Sequence, residues 1–248
     1  MMLMPARRAS AATAPTSWLQ LPHGEWMRAE LSKALAPHCA KVFGYYFARV
    51  GQLAKSVELP DLRVQHQFSA ALTGEANIRT DLEYWPFAEG VLDAVMMIGQ
   101  LEFERDPHQV LRELSRSLIA DGHIILAGFN PLSPAIMTGV WPANVKKLPW
   151  CGRYFSKARI NDWLALLNFE IIDSGYVAPT MMLSKTASAS VGLTHVSRFI
   201  PQVGAMYYIV ARKREFPLTV IRHKQRAKPH VNAVPLANRI KSPDMEPK

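Results

Sequence analysis

Residues 91–98, VLDAVMMI, form a nearly unbroken apolar run of strand length. Such a run escapes water only when both faces of the strand are covered, so it predicts a central parallel strand. A helix is punctuated shortly after it. Asp106 can accept the first amide hydrogens, Pro107 suits the first helical turn, and Val110, Leu111, Leu114 and Leu118 recur on one side. Gly122 is expected to end this helix by admitting a left-handed backbone. Residues 123–129, HIILAGF, then read as a second buried strand. One strand-helix-strand unit over 91–129, with a right-handed crossover, makes the fold class α/β.

The remaining elements are placed around this unit. Residues 23–37 read as a helix with Trp26, Leu31 and Leu35 on its apolar side and Pro37 as its stop. Strands are expected at 42–50, closed by Gly51, at 63–68, and more weakly at 77–79. Residues 156–167 read as a further helix, and 169–177 and 205–211 as the last two strands. The connection between those strands, 178–204, is long enough to be a lid, a binding loop or a disordered stretch.

With 248 residues, 49% of them hydrophobic, the chain is long enough for one sizeable α/β domain. No apolar run approaches the roughly 18 residues of a membrane-spanning helix. Cys39 and Cys151 stand far apart, and neither they nor His66, His108 and His123 show metal-ligand spacing, which suits a reducing, cytoplasmic setting. Residues 1–22 are expected to be a disordered arm, with an organelle transit peptide as the alternative. The net charge of +9 is concentrated at the other end, where 211–248 holds ten lysines and arginines against three carboxylates. With five prolines and little apolar periodicity, 214–248 is expected to be a disordered basic tail, either simply solvated or an arm for RNA, DNA or an acidic membrane. The folded domain is then 23–213.

Residues 80–131 resemble the methyltransferase type 11 family of class I S-adenosylmethionine-dependent enzymes. The family's elements occur in order: Asp81 after the third strand, Pro86-Phe87, Asp93-Ala94-Val95, Leu101-Glu102-Phe103, Asp106-Pro107, Leu111-Arg112-Glu113, Asp121-Gly122 and Phe129-Asn130-Pro131. The resemblance implies a Rossmann-like fold, with a seven-stranded, mostly parallel sheet and helices on both faces. It also implies S-adenosylmethionine as cofactor. Asp81 is the carboxylate that would accept a hydrogen bond from the adenine amine, a turn-forming aspartate being the alternative. Leu82 would meet the adenine ring, and Ile98 would face the same pocket unless it serves only the core. Asp93 is a structural marker.

The family's glycine-rich loop after the first strand lets the backbone approach the cofactor's methionine portion closely. Here the loop reads ARVGQLAK, in which only Gly51 is retained. Arg49 stands at the usual acidic position, and Leu53 and Lys55 stand at the other two glycine positions. These side chains are expected to fill space near the cofactor, although Arg49 could grip its carboxylate. Residues 63–71 offer Gln67, but no Asp or Glu, for the ribose. Asn130, Tyr154 and Tyr176 are candidates for an acceptor pocket, with packing as the alternative. The expected function is methyl transfer to an unidentified small or lipid-like acceptor. A non-transferring binding or regulatory protein of the same fold, associated with RNA through its tail, is the alternative.

Overall fold

The structure is a computed structural model that describes residue 7 and residues 9–59, 62–138, 147–180, 182 and 200–215. The chain divides into two units, Met1–Glu215 and Phe216–Lys248. Apart from residues 214 and 215, the expected basic tail lies outside the described residues, as does most of the expected 178–204 connection.

Seven strands form one sheet: β1 (Phe43–Val50), β2 (Arg63–Ala71), β3 (Ile78–Arg79), β4 (Leu92–Ile98), β5 (Leu118–Phe129), β6 (Phe169–Pro179) and β7 (Gly204–Lys213). Their order is β3-β2-β1-β4-β5-β7-β6. The first five strands run parallel, and β7 is antiparallel to both β5 and β6. The expected mostly parallel sheet with helices on both faces is therefore observed. Alternate residues of β4 enter separate cores. Met96 and Ile98 meet Phe47, Phe129 and helix α1 (Gly24–Cys39). Val95 and Met97 meet α3 (Pro107–Ser117) and α5 (Lys157–Leu166) through Val110, Leu114, Ile160 and Leu164. Two single-turn helices, α2 (Gln52–Lys55) and α4 (Pro134–Met137), follow β1 and β5.

Three expectations are corrected. Proline does not stop α1, which runs on through Pro37 to Cys39. The buried line is Met27, Leu31, Leu35 and Cys39, and His38 pairs with Asp173 at 2.8 Å; together these outweigh one lost backbone hydrogen bond. Gly122 does not end α3, because the helix closes at Ser117 and the buried Leu118 already pairs with Leu92 as part of β5. The left-handed residue is Asp121, at φ 61°.

The arm is not disordered over residues 9–22. Ser17 caps a 3-10 turn at Trp18–Gln20, Ala12 N donates to Phe103 O at 2.7 Å, and the fully buried Trp18 donates from Nε1 to Leu53 O at 3.1 Å. A lone aromatic anchor has no periodicity for a sequence reading to detect.

Between β2 and β3, residues 72–77 form no helix. The sheet there borders a cavity of about 580 Å³ lined by Tyr46, His66, Phe68, Ile78, Phe87 and Val91, among others. Asp93 ties the neighbouring strands together, its Oδ2 accepting from Tyr45 N at 2.9 Å and Tyr46 N at 2.8 Å.

Trp18→Ala is expected to lower the unfolding free energy by about 3–5 kcal/mol in urea denaturation. A loss below about 1 kcal/mol would mean that the segment adds nothing to the fold.

Candidate functional site

In an open parallel sheet, ligands bind beyond the carboxyl ends of the strands. Val50 pairs with Met97, so the residues that follow β1 and β4 lie side by side. Gly51 has φ 84° and ψ 161°, a backbone conformation that side-chain-bearing residues rarely adopt, and its N–H donates to Ala70 O at 2.9 Å. A Cβ on Gly51 would lie 2.8 Å from Gln100 Oε1. The other end of that carboxamide donates from Nε2 to Glu104 Oε1. Burial pushes the Glu104 carboxyl above its usual range; the Gln100 hydrogen bond opposes this, and the charges of Asp81 and Glu83 add to it.

Asp81 is exposed at the end of β3, and its Oδ1 accepts from Glu83 N at 2.9 Å to cap the 3-10 turn Leu82–Tyr84. Glu83 in turn binds Arg105 and accepts from Asp106 N at 3.0 Å, fixing this turn to the start of α3. Gly51, Gln100, Glu104 and Asp81 thus form a continuous rim. Leu82 and Ile98 are each 1% exposed and lie in different cores, Leu82 in that of Val95 and Met97 and Ile98 in that of Met96, rather than facing one pocket.

The altered loop is not arranged as its sequence suggested. Leu53 turns inward into the core, where its Cδ1 would lie 2.9 Å from a Cβ on Gly99. Lys55 Nζ reaches Glu75 O at 3.2 Å, and Gln52 Nε2 reaches Thr73 O at 2.8 Å, so both hold the loop after β2. Arg49 donates to Val57 O at 2.7 Å, to Lys55 O at 3.3 Å and to Gln67 Oε1 at 2.9 Å. Its guanidinium is committed to tying the loop down, and Gln67 lies in the middle of β2 rather than at its carboxyl end.

The suggested acceptor-pocket residues are also engaged. Asn130 donates to Gln202 O at 2.6 Å and Gly204 O at 2.8 Å, and accepts from Leu132 N, which pins the end of β5 to the start of β7. Tyr154 donates to Pro149 O, and Lys157 Nζ lies 4.6 Å above the Tyr176 ring. His108 has its ring 4.0 Å from that of Trp163.

Glu102 has a role that the sequence reading did not assign, although a carboxylate inside the apolar Leu-Glu-Phe turn was the available signal. It is 1% exposed; Oε1 accepts from Phe129 N at 2.8 Å, while Oε2 is buried and has no hydrogen-bond partner among the described residues. Burial pushes its carboxyl up to about 7. The buried Tyr207 hydroxyl is held protonated, first by burial and then by the nearby Glu102 charge.

These residues can be tested against S-adenosylmethionine. The exposed Asp81 carboxylate suits an adenine amine, and Gly51 keeps a backbone shaped for close approach. The atom nearest to the notch over Gly51 is the far end of a flexible side chain, Gln100 Oε1, with Gln100 Cβ and Cδ at 3.4 Å. The residues present thus suit an adenine amine at Asp81 and a close backbone approach at Gly51, where the Gln100 carboxamide now stands; β2 adds no carboxylate for a ribose.

Strand order and site position define a Rossmann-like protein of the methyltransferase class. The profile of the methyltransferase domain family matches residues 32–126. The chain is 33% identical over 226 residues to uncharacterized protein YafS of Escherichia coli (strain K12), an alignment covering 90% of this chain and 91% of that protein. Among solved structures it is similar to an S-adenosylmethionine-dependent methyltransferase of Thermotoga maritima, described as a possible histamine N-methyltransferase. That match has a TM-score of 0.52 and 16% identity, covering 76% of this chain and 92% of the other. A match to the cyclase SpnF has a TM-score of 0.53 and 14% identity, covering 85% and 89% of the two chains. The chain belongs to the methyltransferase type 11 family of class I methyltransferases, with a glycine loop reduced to Gly51.

Glu102 generates a pH dependence. Its folded-state value of about 7 lies above the ordinary 4.5. Both folded and unfolded chains are protonated below 4.5, and between 4.5 and 7 only the unfolded chain releases the proton. Stability therefore falls across that window, by on the order of 3 kcal/mol, and the loss is complete above it. Glu102→Gln is expected to flatten this dependence in urea titrations from pH 4 to 8. A wild-type profile shared by the variant would refute the assignment.

Proposed function

We propose that this protein is an S-adenosylmethionine-dependent methyltransferase acting on a small or lipid-like acceptor. The observation that carries this reading is Gly51, which keeps its glycine-only conformation at the end of β1 while Asp81 presents a carboxylate at the end of β3. Asp81, Leu82, Gly51 and Ile98 make up the proposed cofactor site. Asp81 and Gly51 stand at its surface, and the other two support it from the core. Methyl transfer to a good nucleophile needs mainly in-line alignment, so no dedicated base is required. The proposal includes a cytoplasmic setting and keeps for the basic tail the two roles expected of it, a solvated tail or a nucleic-acid-binding arm.

Specific observations favour a second reading, a non-transferring binding protein of the same fold. Arg49 is locked into the loop, and β2 ends in Ala70-Ala71 with no carboxylate for a ribose. The likeness to a cyclase supports other uses of this fold.

Calorimetric titration with S-adenosylmethionine separates the two readings. Binding is expected for the wild type, and Asp81→Asn should weaken it about ten- to hundredfold, since asparagine keeps the cap but removes the charge. No heat at millimolar cofactor would exclude the methyltransferase reading.

A further inference from the structure

We propose that Gln100 is a gate that sets which ligands the carboxyl-end site accepts, by occupying the place of the cofactor's amino-acid end. The inference rests on the methyltransferase reading above. The backbone around Gly51 is built for close approach, yet the atom nearest to a Cβ there is Gln100 Oε1, at 2.8 Å. The side chain is not loose, because Nε2 is tethered to Glu104, itself buried between Gln100 and the Asp81 turn.

Loop movement cannot relieve this overlap cheaply. Arg49 ties the loop to Val57 and Gln67, Gln52 ties it to Thr73 O and Glu75 O, and Trp18 holds Leu53 O. Gln100 is therefore the one piece that can leave at low cost, giving up a single side-chain hydrogen bond and rotating outward from a half-exposed position.

The gate bears on only half of the ligand. Adenosine, lacking the amino-acid end, would meet the Asp81 side of the rim without displacing Gln100. S-adenosylmethionine must displace it, and its affinity is reduced by the fraction of molecules in which the gate is closed. The site then discriminates against the longer ligand by a penalty located in one side chain.

The test compares adenosine and S-adenosylmethionine by calorimetry on the full chain, in the wild type, Gln100→Ala and Gln100→Asn. Asparagine keeps the amide but is too short to span Gly51 and Glu104, and circular dichroism verifies that both variants are folded. S-adenosylmethionine affinity should rise about tenfold or more in both variants, with adenosine affinity unchanged. Unchanged or weaker S-adenosylmethionine binding overturns the gate while leaving the methyltransferase reading intact. An equal gain for both ligands also overturns it, since the variants would then only have loosened the site. If neither ligand binds any of the three proteins, the functional reading fails and the gate fails with it.

Discussion

Both faces of β4 must be kept from water, and this requirement organises the rest of the molecule. Met96 and Ile98 need a layer on one side, Val95 and Met97 need another, and neither helix layer is stable without the strand between them. The register shift between Leu92 and Ala94 serves the same end: it lets Leu92 join the core of Val95, three residues away, while Leu118 pairs with it. Asp93, in the irregular stretch, turns its carboxylate onto the amides of Tyr45 and Tyr46 and sets β1 beside β4. The juxtaposition of Gly51 and Gln100 follows from that pairing.

What the sequence revealed depended on whether the responsible force was local. The apolar runs of β4 and β5, and the Asp106 cap of α3, were legible because burial and capping leave fixed patterns along the chain. Pro37 and Gly122 misled because their local preferences were overridden by distant contacts, the pairing of His38 with Asp173 and of Leu118 with Leu92. The site divides the same way. Asp81 and Gly51 were found from motif position, whereas the inward turn of Leu53 and the bonds of Arg49 depend on partners that no spacing rule names.

The substituted loop is better described as rewired than as damaged. Glycines would give it freedom; here Arg49, Gln52 and Lys55 give it hydrogen bonds to β2 and the turn beyond. Stiffness replaces pliancy, and the polar atom nearest to a Cβ on Gly51, Gln100 Oε1, belongs to a different strand end. Glu102 completes the contrast on the far side of β4, where a carboxyl is kept close to neutral in the core instead of serving as an exposed charge.

Trp18 joins the amino-terminal segment to the carbonyl of Leu53, inside the short helix that follows Gly51. Displacing that segment would therefore leave the loop's buried Leu53 carbonyl without the indole that donates to it, so a change far from Gly51 along the chain is felt in the turn beside it.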